Sequence, residues 1–125
     1  MSVILERVGF APDYVNYVES LDMQSRLHAE IAARARQNTI LLLEHEPVIT
    51  AGKRTEDHEY PTDRSTPVVK IDRGGKLTWH GPGQLTGYPI LKLPEPLDVV
   101  AYVRLLEEII MNVLAQLGIK GERVE

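Results

Sequence analysis

The sequence predicts an α+β fold in which helices flank a mixed β-sheet. Two segments carry apolar residues at helical spacing, and at least four shorter segments have the apolar, β-branched composition of strands. Their order is strand, helix, several strands and helix, which is not the strict alternation of a doubly wound nucleotide-binding fold. With 125 residues and no long linker, the chain is expected to form one domain with a core of its own.

The first third of the chain is predicted to contain a strand, a helix and a second strand. Residues 3–10 are apolar and β-branched with two charges among them, as in a half-exposed strand. An amphipathic helix is predicted to begin at Pro12 and to end near residues 37–38. Residues 39–44 are continuously apolar up to a final glutamate, which indicates a strand buried on both faces at the centre of a sheet.

The middle of the chain alternates between loops and extended segments. Residues 55–67 are polar and contain two prolines, so they are expected to form a surface loop. Residues 67–71 alternate as a strand does, and residues 85–93 form another extended segment. Within it, Pro89 disfavours a fully paired central position.

The clearest helical pattern lies near the end of the chain. Asp98 is a favourable N-cap, and an apolar stripe follows it as far as Gly118, a residue that suits the end of a helix. Residues 119–125 are expected to begin another strand or turn.

Composition excludes several classes of function. The 14 Lys and Arg residues are outnumbered by 18 Asp and Glu, which gives a net charge of −4. This argues against nucleic-acid binding, which requires a basic surface. Without cysteine, these residues contain no disulfide, thiolate metal site or cysteine nucleophile, and the four histidines lack metal-ligand spacing. Charges at Glu6 and Arg7 interrupt any signal peptide, and no aliphatic run is long enough to cross a membrane. A cytoplasmic location is therefore expected.

The most unusual segment is glycine-rich and covers residues 72–88, DRGGKLTWHGPGQLTGY. Its five glycines allow close approach to the main chain, and Arg73 and Lys76 add positive charge, which suits a carboxylate, a thioester carbonyl or a phosphate. The spacing matches neither a P-loop nor a dinucleotide-binding motif. Tight turns at residues 74–75 and 81–83 are the structural alternative. The tryptophan, histidine and glutamine in and around the second turn favour a binding segment.

Other polar residues are interpreted as structural. His45 follows the predicted buried strand, where a histidine most often bonds to the backbone. A general acid/base pair formed by the flanking Glu44 and Glu46 gains little support from the pattern. Tyr14 and Tyr17 are interpreted as half-buried contacts of the first helix.

Three blocks of the sequence carry a family pattern. Residues 73–88 read RGGxxTWHGPGQLxxY, residues 42–54 read LLEHxPVxTxGxR, and residues 96–104 read PLDVVxYVR. In this order they resemble the lipoyl(octanoyl) transferases of lipoate biosynthesis, and the similarity runs through nearly the whole chain. The resemblance implies the fold of the biotin and lipoate protein ligase catalytic domain, a mixed sheet packed by helices.

The resemblance also implies an activity. Family members move an octanoyl group from octanoyl-acyl carrier protein onto an enzyme cysteine, and then to a lysine of an apo lipoyl domain, without a cofactor or metal. The acceptors are 2-oxoacid dehydrogenases and the glycine cleavage H protein. Carried over residue by residue, the substrate-binding stretch comprises Arg73, Gly74, Gly75, Lys76, Leu77, Thr78, Trp79 and His80.

The residue types in this stretch fit an acyl pocket. The two glycines allow main-chain contact with the acyl end, and Leu77 and Trp79 supply an apolar wall. His80 is expected to bond the thioester carbonyl or to orient its neighbours. Arg73 and Lys76 are expected to meet acidic carrier-protein surface or pantetheine phosphate.

The family's catalytic cysteine and lysine lie in a second half of the domain, which the sequence does not reach. No catalytic residue is therefore assigned. Residues 1–125 are expected to be the N-terminal portion of a single octanoyltransferase catalytic domain, inactive alone, whether as a truncated product, a partial sequence or half of a split enzyme. The alternatives are an inactive remnant, a module that binds acyl carrier protein or lipoyl domains, or an ATP-dependent lipoate or biotin ligase.

Overall fold

The computed structural model describes residues 2–124. Within this range the chain divides into two compact units, residues 2–92 and residues 93–124. In chain order the elements are β1 (Ile4–Gly9), α1 (Tyr17–Ala32), β2 (Thr39–Leu43), β3 (Val48–Ala51), a short 3₁₀ helix (Asp57–Glu59), β4 (Val68–Lys70), β5 (Leu77–His80), β6 (Thr86–Ile90) and α2 (Val99–Gln116). The predicted α+β class is confirmed. No helix within residues 2–124 has the length and apolar character needed to span a bilayer.

The strands form two mixed sheets of three strands each, where the sequence predicted a single sheet. In the first sheet β2 lies between β1, which is parallel to it, and β6, which is antiparallel. In the second sheet β3 lies between the parallel β4 and the antiparallel β5. The change of sheet occurs after β2, because His45 leaves the ladder with β6 and forms an isolated bridge with Val15.

The core of the first unit lies between α1 and the first sheet. Leu27 and Ile31 of α1 and Leu41 of β2 are buried together, and Tyr88 of β6 packs against them. The central position predicted for residues 39–44 is confirmed, and so is the edge position that Pro89 indicated for β6.

Helix α1 is shorter than predicted at both ends. It begins after Asn16, whose side chain accepts a hydrogen bond from the first turn, and not at Pro12. The residues between them belong to a loop that Val15 joins to the end of β2 through a backbone hydrogen bond of 2.9 Å. After α1, Arg34 has a φ of 60°, which a right-handed helix does not accommodate, so the predicted end at residues 37–38 is wrong.

The second unit consists of α2 and its flanking residues. The side chain of Asp98 caps α2 by accepting a hydrogen bond of 2.9 Å from the Ala101 N–H, and Gly118 follows the helix with a φ of 78°, as predicted. Residues 119–124 form neither the strand nor the turn that was expected, and Glu125 lies outside the described residues. No side chain of α2 is buried in the described structure.

Candidate functional site

The glycine-rich segment forms a loop, a strand and a turn. Residues 73–76 form the loop, β5 follows, and the turn of residues 81–84 leads into β6. Gly75 and Gly83 have φ values of 84° and 86°, which glycine adopts without strain. Neither connection is a hairpin, because β4 and β5 lie on opposite sides of β3 and β6 belongs to the other sheet.

The loop of residues 73–76 is joined to the segment that follows β3. The backbone N–H groups of residues 52–54 donate hydrogen bonds of 3.0, 2.9 and 3.0 Å to carbonyl oxygens of the loop. Gly52 is required there, because a Cβ atom would lie 2.5 Å from the carbonyl oxygen of Gly75 and 2.7 Å from that of Gly74. Two blocks that are remote in sequence therefore build one structure.

The guanidinium group of Arg73 donates hydrogen bonds to neighbouring residues of the protein. Its Nη2 donates to Thr50 Oγ1 at 2.9 Å, to the Thr50 carbonyl at 3.2 Å and to Thr78 Oγ1 at 3.0 Å. Its Nη1 donates to the carbonyl of Gly74 at 2.8 Å. Because Thr50 is fully buried, these bonds hold the guanidinium in one position between β3 and β5.

Lys76 is also engaged inside the unit. Its Nζ lies 2.8 Å from Oε2 of Glu59, at the end of the 3₁₀ helix. The hydrogen bond from Lys76 lowers the pKa of Glu59 below its ordinary value. This ion pair connects the surface loop of residues 55–67 to the glycine-rich segment. An acidic ligand would have to compete with Glu59 for Lys76.

Strand β5 divides its side chains between two faces. Thr78 and His80 share one face, while Leu77 and Trp79 share the other, because side chains alternate along a strand. Trp79 is 46% exposed, and its ring packs over Gly81. The apolar residues and the histidine of this stretch are therefore presented on opposite sides of the strand.

An aromatic cluster of Tyr17, His45, His80 and Tyr88 forms where α1, β5, β6 and the segment after β2 meet. The rings of Tyr17 and His80 are stacked with centroids 6.4 Å apart and an angle of 6°. His45 lies 5.2 Å from Tyr17, 6.0 Å from His80 and 5.8 Å from Tyr88. Burial raises the pKa of Tyr17, and the charge of Arg73 opposes that rise. Arg73 and the cluster therefore belong to one electrostatic environment.

His45 joins the loop before α1 to strand β6. Its Nδ1 lies 2.9 Å from the Val15 carbonyl, which only accepts hydrogen bonds, so Nδ1 carries the hydrogen. Burial lowers the pKa of His45 below 6.5 and keeps the ring neutral at pH 7, so Nε2 accepts from the Tyr88 hydroxyl at 2.6 Å. Burial also raises the pKa of Tyr88 to about 12, which keeps that hydroxyl protonated. The predicted hydrogen bond of His45 to the backbone is confirmed. Its hydrogen bond to the Tyr88 hydroxyl was not predicted.

The side chain of Gln84 determines which nitrogen of His80 is available. Its Nε2 donates to the Trp79 carbonyl at 3.3 Å, so its Oε1 is the atom that lies 2.6 Å from Nδ1 of His80. The Nδ1 atom therefore donates, and in the neutral ring Nε2 is a hydrogen-bond acceptor. Bonding of a thioester carbonyl by Nε2 would require the imidazolium form.

Comparison with known families decides the relationship of the chain. Residues 16–125 match the family model described as the lipoyl protein ligase A/B catalytic domain. The chain belongs to this family. Octanoyltransferases are similar to this chain over nearly its whole length. That of Leifsonia xyli subsp. xyli is 60% identical over 120 residues, which are 96% of this chain and 53% of the relative. That of Renibacterium salmoninarum is 54% identical over 125 residues, 100% of this chain and 53% of the relative.

A third octanoyltransferase, from Streptomyces coelicolor, is 57% identical over 119 residues, which are 95% of this chain and 44% of the relative. The chain thus spans about half the length of the curated relatives it matches. A solved structure of a candidate lipoate protein ligase from T. acidophilum superimposes with a TM-score of 0.67 at 17% identity. It covers 100% of this chain and 53% of that one. This likeness confirms the predicted lipoate ligase fold.

The structure adds residues that the sequence did not indicate for the site. Thr50 and Tyr88 lie inside the family blocks, so the resemblance was the available signal for both. Tyr17 lies outside those blocks, and its helical spacing suggested only a half-buried contact. It is instead buried and stacked on His80.

Surface concavities of the first unit occur near the end of α1. One of about 330 Å³ is lined by Arg34, Arg36 and Lys92 among others, and one of about 220 Å³ lies beside Ile90. Neither is lined by the stretch from 73 to 80. In residues 2–124, no three His, Cys, Asp or Glu side chains are grouped to hold a metal ion.

Proposed function

We propose that residues 1–125 form the N-terminal portion of a single octanoyltransferase catalytic domain. Octanoyltransferases that are 60%, 54% and 57% identical to the chain support this proposal. The reaction moves an octanoyl group from octanoyl-acyl carrier protein to a lysine of an apo lipoyl domain, in 2-oxoacid dehydrogenases or the glycine cleavage H protein. It takes place in the cytoplasm.

One observation carries the proposal beyond similarity of sequence. The loop of residues 73–76 is held by residues 52–54 and by Arg73, so its main chain is fixed in place before any substrate arrives. At Gly74 no heavy atom outside residues 73–75 lies within 4 Å of the position of a Cβ atom, so this part of the loop is open. A preformed, open glycine backbone suits close approach of an acyl group.

The eight residues proposed to bind the octanoyl substrate have different tasks. Arg73 and Thr78 shape the loop, and the backbone at Gly74 and Gly75 contacts the acyl chain. Leu77 and Trp79 supply apolar surface on one face of β5, and Lys76 is available to an acidic partner once Glu59 releases it. His80 accepts a hydrogen bond at Nε2 from a substrate N–H, such as an amide of pantetheine.

The chemical step needs a nucleophile that these residues do not contain, because the chain has no cysteine. In the proposed reaction an enzyme thiolate attacks the octanoyl thioester and the carrier thiolate leaves. The lysine amine of the lipoyl domain then attacks the enzyme thioester, and an amide forms as the enzyme thiolate and a proton are released. Residues 1–125 contribute binding and orientation to both steps.

Mass spectrometry of an apo lipoyl domain tests this function. The full-length protein is incubated with octanoyl-acyl carrier protein, without ATP, and octanoylation of the domain is expected. Octanoylation that occurs only with free octanoate and ATP would instead establish a ligase. If the domain is not modified under either condition, but carrier protein or lipoyl domain binds, the protein is a binding module or an inactive remnant.

A further inference from the structure

The carboxylate of Glu44 joins two loops that are remote in the sequence. Its Oε2 accepts a hydrogen bond of 2.8 Å from the N–H of Ala11, and its Oε1 accepts one of 2.9 Å from the N–H of Gly83. Among the described residues, no cation forms a salt bridge with this carboxylate. Glu46, two residues further on, is exposed and makes neither bond.

The bond to Gly83 leads directly to the histidine of the site. Gly83 lies in the turn of residues 81–84, which is closed by a hydrogen bond of 3.1 Å from the N–H of Gln84 to the carbonyl of Gly81. The side chain of Gln84 then binds both His80 and the Trp79 carbonyl. The position of the turn therefore decides where Gln84 lies, and Gln84 decides which nitrogen of His80 carries the hydrogen.

We propose that Glu44 is a positioning residue for the octanoyl site, an inference that rests on the proposed function of that site. It holds the turn of residues 81–84 against the loop that contains Ala11, and so orients Gln84 and His80. A carboxylate suits this place because the two backbone N–H groups are bound by different oxygens, Oε2 and Oε1. The amide of a glutamine offers only one, and an alanine offers none.

Trp79 gives a readout of the turn that does not depend on activity. It is the only tryptophan in the chain, and its ring packs over Gly81 of the turn. Any tryptophan outside residues 1–125 is first replaced by phenylalanine so that Trp79 reports alone. Release of the turn in Glu44→Ala is expected to shift Trp79 emission to longer wavelength and to increase its quenching by acrylamide. The matched control, Glu46→Gln, removes the same charge from the same loop and is expected to leave both unchanged.

Hydrogen exchange tests the bond itself. In Glu44→Ala, the Gly83 amide is expected to exchange about tenfold faster, the effect of losing one charge-assisted hydrogen bond. The Glu44→Gln variant is expected to lie between Glu44→Ala and wild type. Unchanged exchange at Gly83 and unchanged Trp79 emission in Glu44→Ala, with a native far-UV circular dichroism spectrum, would overturn the proposal.

Kinetics distinguish positioning from a purely structural role. For the full-length protein, Glu44→Gln is expected to raise KM for octanoyl-acyl carrier protein severalfold with kcat little changed. The double variant with His80→Ala should then be no worse than His80→Ala alone, because Glu44 acts through His80. Fully additive losses would contradict the proposal. If the wild type transfers no octanoyl group, the proposed function fails, while emission and exchange still decide whether Glu44 holds the turn.

Discussion

Strand β2 of the first sheet, with the histidine that follows it, and the edge strand β5 of the second sheet use polar residues differently. In the first sheet and at its end, polar side chains such as Thr39 and His45 are fully buried and bond to partners within the protein. In the second sheet, β5 presents Thr78 and Trp79 to solvent and His80 at half burial. The comparison indicates that the first sheet supports the site, whereas the second sheet presents the groups that a substrate would meet.

The largest expected contrast concerns the two histidines of the aromatic cluster. Replacing His45 with alanine should lower the free energy of unfolding by about 3 kcal/mol, because a cavity forms at a fully buried position and two half-buried partners lose their hydrogen bonds. Replacing His80 with alanine should cost less than about 1 kcal/mol, because His80 is half-buried. Urea denaturation measures both values. Equal losses of unfolding free energy in the two variants would contradict the distinction between a sheet that supports the site and a strand that faces the substrate.

Two glycines in the segments next to the second sheet allow the same comparison between a supporting position and a position that faces the substrate. Gly52→Ala should destabilise the protein by about 2 kcal/mol and displace the loop, because its Cβ would overlap carbonyl oxygens of the loop. Gly74→Ala should leave stability within about 0.5 kcal/mol, since open space surrounds that position. It should nevertheless weaken octanoyl binding if the acyl chain passes there. Thermal denaturation and isothermal calorimetry with an octanoyl thioester separate these effects.

Stability should also fall in mild acid because of the supporting sheet. The pKa of His45 is lowered on folding, so below pH 6.5 the unfolded chain binds more protons than the folded one. The free energy of unfolding should therefore decrease as the pH falls, by at most about 1.4 kcal/mol per pH unit for one group. His45→Gln should flatten this dependence, while the exposed control His28→Gln should retain it. An unchanged slope in His45→Gln would contradict the assignment.

The smallest effect on stability is expected at the ion pair between Lys76 and Glu59. Glu59→Gln should leave the free energy of unfolding unchanged within error, because exposed ion pairs contribute little. It should, however, strengthen binding of the acidic carrier protein by releasing Lys76. Asp57→Asn, which removes a charge from the same 3₁₀ helix, is the control. Equal gains in both variants would show a general charge effect and would exclude a specific release of Lys76.

The sequence predicted the elements whose patterns are local and strong. Strand β2 is a continuous apolar run, and α2 has an N-cap at Asp98 and a regular stripe, so both were found. Strands β3 and β5 were not, because one is a four-residue segment between Pro47 and Gly52 and the other lies inside the glycine-rich segment. The apolar stripe of α2 identified the helix, but most of its large apolar residues are exposed in the described structure.

For the site, the family resemblance located the stretch from 73 to 80, but not how it is held. The partners of Arg73 and Lys76 are Thr50 and Glu59, which are 23 and 17 residues away. No local pattern encodes such contacts. The stacking of Tyr17 on His80 likewise depends on how α1 packs, which helical spacing alone does not specify.

An NMR titration with octanoyl-pantetheine tests whether residues 73–80 form the octanoyl site. With ¹⁵N-labelled full-length protein, the amide signals of residues 73–80 and the ring nitrogens of His80 are expected to shift on binding. Signals near Arg34 and Lys92, at the concavity by the end of α1, should remain unchanged. Shifts confined to that concavity, with residues 73–80 unaffected, would contradict the assignment of the octanoyl site.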